Sequence, residues 1–461
     1  MASITANLST NLTGSITIAG DKSISHRSII LGALSIGETT VDGLLESQDI
    51  LATISAMQAF GAEIEKKADN KWHINGLGVG GLDEPTKVLD LGNSGTGVRL
   101  LLGVAASNPV TSFFSGDKSL SRRPMARVLK PLEMMGASFV SRSGGLLPLA
   151  CNGPQTLQPI DYSLPVASAQ VKSAILLAGL NTPGKTIVRE PTPTRDHTER
   201  MLKQFGSEIT IENDEQSHNI ITLEGENELT GQDILVPGDP SSAAFPMVAG
   251  ILAEDSRIEI KNVGINPLRF GLFEILNEMG AKTELIQKHD GVGEPTADIV
   301  VKASKLKGVT VPASIAPRMI DEYPILAVAA ACASGTTRML GLQELRVKES
   351  DRLAAMAIGL KACGVRVEET SDSLTVHGTG GQIDGGARIQ TQLDHRIAMS
   401  FLTLGLKAKN PIIIDNGTTI NTSFPGFVET MKSLGANLNF SDKGKDSVSY
   451  THLTLPTTLQ V

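Results

Sequence analysis

Aromatic side chains are scarce in this chain: one Trp, three Tyr and twelve Phe among 461 residues leave few platforms on which bases could stack. A basic excess is missing too. Lys and Arg number 41 against 49 Asp and Glu, a formal net charge of -8, whereas a general binder of nucleic acid or of anionic membranes needs the opposite balance to displace counterions. No nucleic acid and no membrane is therefore expected as a partner. The only cysteines, Cys151, Cys332 and Cys363, stand far apart and without metal-ligand spacing, so no metal site is expected. They read as buried thiols in a reducing, cytoplasmic setting. No segment is apolar for long enough to span a bilayer. The opening "MASITANLSTNLTGSITIAG" lacks a cationic stretch or a long apolar run and reads as an alternating strand of the fold rather than a targeting peptide. The sequons at Asn7 and Asn11 are then chance matches.

What is present points to a folded chain of two or three domains. Hydrophobic residues make up 41% and charged residues 20%, and 46 glycines with 22 prolines imply many short turns. One pattern recurs six times: a helical stretch, an apolar residue, Gly, a small or β-branched residue, then a short strand. It appears as "QAFGAEIE" at Gly61, "EMMGASFV" at Gly136, "KQFGSEIT" at Gly206, "NEMGAKTE" at Gly280, "KACGVRVEE" at Gly364 and "KSLGANLNF" at Gly435. Glycine suits the left-handed residue just past a helix end, so each match marks a helix feeding a strand. Upstream of each lies another helix, apolar almost all round in several cases, which predicts buried helices with sheets outside them. Six units in two groups of three give two similar domains. "TIAGDKSIS" at Gly20 resembles "LVPGDPSSA" at Gly238, and these junctions read as the crossovers. The expected division is residues 1-20 with 238-440 as one domain and 21-237 as the other. The tail 441-461 fits no seventh unit and reads as a disordered or expression-derived extension.

Cations gather at unit beginnings, against the acidic average. "GDKSISHRS" brings Lys22, Ser23 and Arg27 to a helix start, where free N–H groups and the helix dipole favour anions. "DLGNSGTGVRLL" is a Gly-rich turn whose backbone could approach an anion at Gly95. "LSRRPMARVL" supplies Arg123, with Pro124 suited to the first helical position. "PVASAQVKSAILL" places Ser168, Gln170 and Lys172 at another buried helix start, "PTPTRDHTERM" adds Arg195, and "LDHRIAMSFL" adds Arg396. In "RVKESDRLAAM", Leu353, Met356, Ala357 and Leu360 form an inward stripe that leaves Lys348, Glu349 and Arg352 at the helix entrance. Such cations in one cleft would repel one another without partners, so ligands bearing several phosphate or carboxylate charges are expected. Asp321 of "MIDEYPIL" and Glu349 are the candidate acid and base.

Taken together, "GDKSISHR", "GNSGTGVRL", "RRPMARV", "ASAQVKSA", "MIDEYP", "RVKESDR" and "LDHRIAMSF", in this order over about residues 12-440, resemble the 5-enolpyruvylshikimate-3-phosphate synthase family, in its second sequence class. The resemblance implies a two-domain inside-out α/β barrel and an enolpyruvyl transferase of aromatic amino-acid biosynthesis. It joins shikimate 3-phosphate to phosphoenolpyruvate and releases phosphate, with no metal or organic cofactor, as a cytoplasmic monomer inhibited by glyphosate. By the same resemblance Ser23 and Arg27 hold the shikimate carboxylate, Ser168, Arg195 and Lys348 its 3-phosphate, and Gln170 lies against the ring and reaches the second substrate. Lys22, Arg123 and the Gly95 N–H receive the donor phosphate, and Arg352 and Arg396 its carboxylate. Asp321 is the base on the 5-hydroxyl; Glu349, with Lys22, moves the proton at the enolpyruvyl methylene. Ala169, within the 3-phosphate site, stands where many relatives have Ser, and Thr422 where some have Lys. The rival readings are a UDP-N-acetylglucosamine enolpyruvyl transferase, which commonly carries a loop cysteine with no counterpart here, and a non-catalytic anion-binding protein.

Overall fold

All six punctuation glycines lie just past a helix end with φ between +85° and +111°. The capping is the same each time. Ala62 N–H donates to the Met57 carbonyl (3.1 Å) and Gly61 N–H to that of Gln58 (3.0 Å), and the equivalent pair of bonds closes the helices before Gly136, Gly206, Gly280, Gly364 and Gly435. A side chain is strained in that conformation, which is why glycine recurs there. The computed structural model describes residues 3–289 and 293–440, so the tail 441–461 lies outside the described residues.

The strand after each glycine becomes the edge of a four-stranded sheet, and the described residues form six such sheets. Each has one parallel and two antiparallel pairings. In one, Leu89–Asp90 runs parallel to Thr111–Ser115, which pairs antiparallel with Leu146–Asn152, and that strand with Ser138–Arg142. The chain start joins sheets made far downstream. Ile4–Ala6 pairs antiparallel with Ile412–Ile414 and Leu438–Phe440, and Thr13–Thr17 runs parallel to Arg257–Lys261.

Six helices are buried along nearly their whole length: Lys22–Ala33, Gly95–Ala106 and Ala169–Gly179 in one core, Pro240–Leu252, Tyr323–Cys332 and His395–Gly405 in the other. The first core is built from residues 24–236; the second combines residues 4–18 with 243–438. All three cysteines are buried. The architecture is mixed α/β, with no helix among the described residues long and apolar enough to cross a membrane.

The chain passes between the cores twice, at one place. Gly20 bridges antiparallel to Gly238, Asp21 N–H donates to the Pro237 carbonyl (2.7 Å) and Asp239 N–H to that of Ala19 (3.0 Å). A Cβ on Gly20 would meet the Gly43 carbonyl at 2.1 Å. Asp21 and Asp239 cap the helices that follow, and the buried Arg269 guanidinium ties them together at 3.3 and 3.2 Å.

Candidate active site

The buried helices begin at the cleft between the cores. Side chains of Asp21, Ser94, Ser168, Asp239 and Asp394 accept the first free N–H groups of five of them. Lys22, Gly95, Ala169 and Gln170 open three of the helices, and Asp321 lies two residues before a fourth, which begins at Tyr323. Pro124 does not start a helix: the segment following it becomes helical at Ala126, with Met125 as cap.

Asp321 is the hub of the cleft. Its Oδ2 accepts from Arg195 Nη2 of the other core (2.7 Å), its Oδ1 from Arg352 Nη1 (3.1 Å), and its carbonyl from Arg396 Nη1 (3.3 Å). Burial alone would raise this carboxyl, but Arg396, Arg195, Lys348 and Arg352 hold it well below the usual carboxylate range. Glu349 behaves alike. It pairs with Arg352 and lies 3.7 Å from Arg123 of the other core; against the burial effect, these two cations hold it well below its usual range.

Arg352 is 1% exposed and engages three carboxylates, Asp321, Glu349 and Asp394, the last through Nε at 2.8 Å. Lys348, by contrast, makes no ion pair among the described residues, and its pKa is held down by burial, with Arg352 and Arg195 adding to the effect. Lys22 pairs with Asp49 and donates to the Thr422 carbonyl across the cleft at 3.4 Å. Arg27 donates to the Ser23 carbonyl (2.8 Å), Thr198 Oγ1 (2.7 Å) and Ser173 Oγ (2.8 Å). Gln170 Nε2 donates to Thr96 Oγ1 at 2.9 Å. His395 is buried among cations, which pushes its pKa down to about 3, so it is neutral and adds no charge.

The seven cations Lys22, Arg27, Arg123, Arg195, Lys348, Arg352 and Arg396 thus share the cleft with five carboxylates, Asp49, Asp321, Glu322, Glu349 and Asp394. An excess of two positive charges remains. Sequence reasoning missed most of this compensation. Asp49 looks like any acid in a first helical turn, and Asp394 like an ordinary cap; only the fold brings them to Lys22 and Arg352. Lys172, grouped with Ser168 and Gln170 by sequence, turns away from the cleft and pairs with Glu190 (3.0 Å) and Glu199 (2.7 Å) inside its own core.

Such a fold and cleft define an α/β protein that gathers polyanionic small molecules between two cores, with two ionised carboxylates among the cations. The family model described as EPSP synthase (3-phosphoshikimate 1-carboxyvinyltransferase) matches residues 7–431, and the chain belongs to that family. It is 60% identical over 428 residues to the 3-phosphoshikimate 1-carboxyvinyltransferase of Paramagnetospirillum magneticum, covering 93% of this chain and 96% of the relative. Identity to that of Parvibaculum lavamentivorans is 55%, with 95% and 97% covered. Among solved structures, an EPSP synthase from Acinetobacter baumannii superposes with a TM-score of 0.86 at 44% identity, over 96% of this chain and 100% of that one.

Proposed function

We propose that this chain transfers the enolpyruvyl group of phosphoenolpyruvate to the 5-hydroxyl of shikimate 3-phosphate and releases phosphate. The observation that carries the reading is Asp321, ionised and gripped by arginines from both cores, within a chain of this family. As base, Asp321 takes the proton of the 5-hydroxyl while that oxygen bonds to C2 of the donor and the donor methylene gains a proton. Loss of a methyl proton then reforms the double bond as the C2–O bond to phosphate breaks. Glu349, aided by Lys22, serves the carbon proton. In the cleft as it stands Glu349 is a poor acid, but two multiply charged substrates would offset its cations and restore a proton to it, so donation depends on closure.

Binding follows the charges. The shikimate carboxylate goes to Ser23 and Arg27, and the 3-phosphate to Ser168, Ala169, Gln170, Arg195 and the unpaired Lys348. The donor phosphate goes to Lys22, Arg123 and the Gly95 N–H, and the donor carboxylate to Arg396 and Arg352, with Gln170 between the substrates. Arg352 reaches the donor only by exchanging one of its three carboxylates. We read the two cores as two domains, 1-20 with 238-440 and 21-237, each an inside-out α/β barrel of three units with its helices within, in a cytoplasmic monomer inhibited by glyphosate. The deciding experiment measures phosphate release from phosphoenolpyruvate with and without shikimate 3-phosphate. Release that ignores shikimate 3-phosphate, or requires a nucleotide sugar instead, overturns the assignment.

A further inference from the structure

The segment Thr194–Arg200 is shared between the two cores residue by residue. Thr198 and Glu199 are anchored at home: Thr198 Oγ1 meets Arg27 Nε (2.7 Å) and Ser173 Oγ (2.6 Å), and Glu199 meets Lys172 (2.7 Å). The three residues before them all cross the cleft. Arg195 reaches Asp321, Asp196 Oδ1 accepts from Asn266 Nδ2 (2.7 Å), and His197 Nδ1 lies 2.6 Å from Glu294 Oε1. Asn266 and Glu294 brace each other, since the same amide nitrogen donates to Glu294 Oε2 at 2.9 Å, while the Asn266 oxygen accepts from Leu268 N–H at 2.9 Å. The second oxygen of Asp196 is held by Arg200 Nε at 2.7 Å.

The centre of this network is buried, with Asn266 and His197 each 2% exposed. His197 Nε2 has no hydrogen-bond partner among the described residues, so Glu294 alone orients that ring. Burial would raise the Glu294 carboxyl, yet His197 and Asn266 keep it below its usual range; the contact therefore favours the charged form. The proposed function gives none of these groups a substrate to hold. Their common effect is to pin both residues after Arg195 to the opposite core.

We propose that Asn266 and Glu294 are positioning residues that clasp Asp196 and His197 when the cores meet, and so set the Arg195 guanidinium against Asp321. Capture of the 3-phosphate is thereby coupled to the placement of the base. The proposal rests on the reading of Arg195 as a 3-phosphate ligand.

Two substitutions test it in the full chain. Glu294→Gln keeps the shape but replaces the carboxylate facing His197 and Asn266 with a neutral amide, so the charge-assisted strength of the clasp is lost. Asn266→Asp sets a third carboxylate beside Asp196 and Glu294 and repels both. Calorimetric Kd values for shikimate 3-phosphate are measured for each variant alone and combined with Arg195→Ala. Each should weaken binding about tenfold in the wild-type background but less than about twofold where Arg195 is absent, because groups acting through one another are not additive. Equal losses in both backgrounds, or no loss in the wild-type background, overturn the proposal, since a merely structural contact would not depend on Arg195. If Asn266→Asp fails to fold, Glu294→Gln carries the cycle alone. If Arg195→Ala itself leaves the Kd unchanged, the ligand assignment of Arg195 fails, and the clasp is judged by deuterium exchange over residues 194–200 in the ligand-free protein. Faster exchange in Glu294→Gln supports the clasp; unchanged exchange overturns it.

Discussion

The Arg123 guanidinium lies over the Cα of Gly95, so close that a Cβ built there would meet Nη1 at 2.5 Å and Cζ at 2.7 Å. A methyl group at this position must first displace Arg123, which is the mobile end of a flexible side chain, and only then narrow the space beside the backbone N–H. Gly95→Ala should therefore weaken both anions assigned to this place in the proposed function, and glyphosate, longer than phosphoenolpyruvate, the more. The expected rise in the glyphosate inhibition constant is about tenfold to two hundredfold, as for one misplaced methyl, with a smaller rise in KM for phosphoenolpyruvate. Constants measured at matched donor saturation decide. Equal glyphosate inhibition of both proteins means that Gly95 does not line the inhibitor site.

Asp321 and Arg123 should separate chemistry from binding. Asp321→Ala should lower kcat by about 10²- to 10⁴-fold through loss of the base, whereas Arg123→Ala should chiefly raise KM for phosphoenolpyruvate. Arg352 is a poorer probe of donor binding, because its removal would take from the buried Asp394 its one ion-pair partner among the described residues, at a cost of about 3–5 kcal/mol. Wild-type turnover by Asp321→Ala would assign the base elsewhere.

The crossover should leave a signature in stability against pH. Asp21 and Asp239 share Arg269; the pKa of Asp21 is lowered, while burial and the nearby Asp21 push Asp239 up to about 6 from 3.8. A carboxyl raised on folding binds its proton more tightly in the native state, so its ionisation costs stability as pH rises from about 4 to 6, on the order of 1 kcal/mol per unit at most. Thermal melts of Asp239→Asn, which keeps a cap oxygen, should lose that component of the wild-type decline. Identical profiles for the two proteins would mean that Asp239 does not titrate there.

Closure is expected to respond to ligand charge. The excess positive charge of the cleft lies on the core that carries Lys22, Arg27, Arg123 and Arg195, so an anion bound there should draw in Lys348, Arg352 and Arg396 of the other core, and shikimate 3-phosphate should lower the radius of gyration in solution scattering. The cross-cleft pairs Arg195–Asp321 and Arg123–Glu349 describe the compact end of that equilibrium. An unchanged profile means that the free protein is already closed, and raising the salt concentration should then leave the profile unchanged as well.

Local physics made much of this protein legible from its residues. The six glycines were readable because a helix end needs a left-handed residue, a demand set within a few positions along the chain. The apolar helices were equally plain, and with them the entrances where Lys22, Gly95, Gln170 and Asp321 stand. The inward stripe of Leu353, Met356, Ala357 and Leu360 is buried as its spacing implied. Partnerships across long separations were another matter. Nothing near Asp49 marks it as the counter-ion of Lys22, nothing near Lys172 says that it turns inward to Glu190 and Glu199, and "TRDHTER" does not reveal that Arg195, Asp196 and His197 face the opposite core while Thr198 and Glu199 face their own. An ion pair depends on where two side chains meet in space, which the packing of two cores decides, whereas a cap or an apolar stripe depends only on the turn of the helix that carries it.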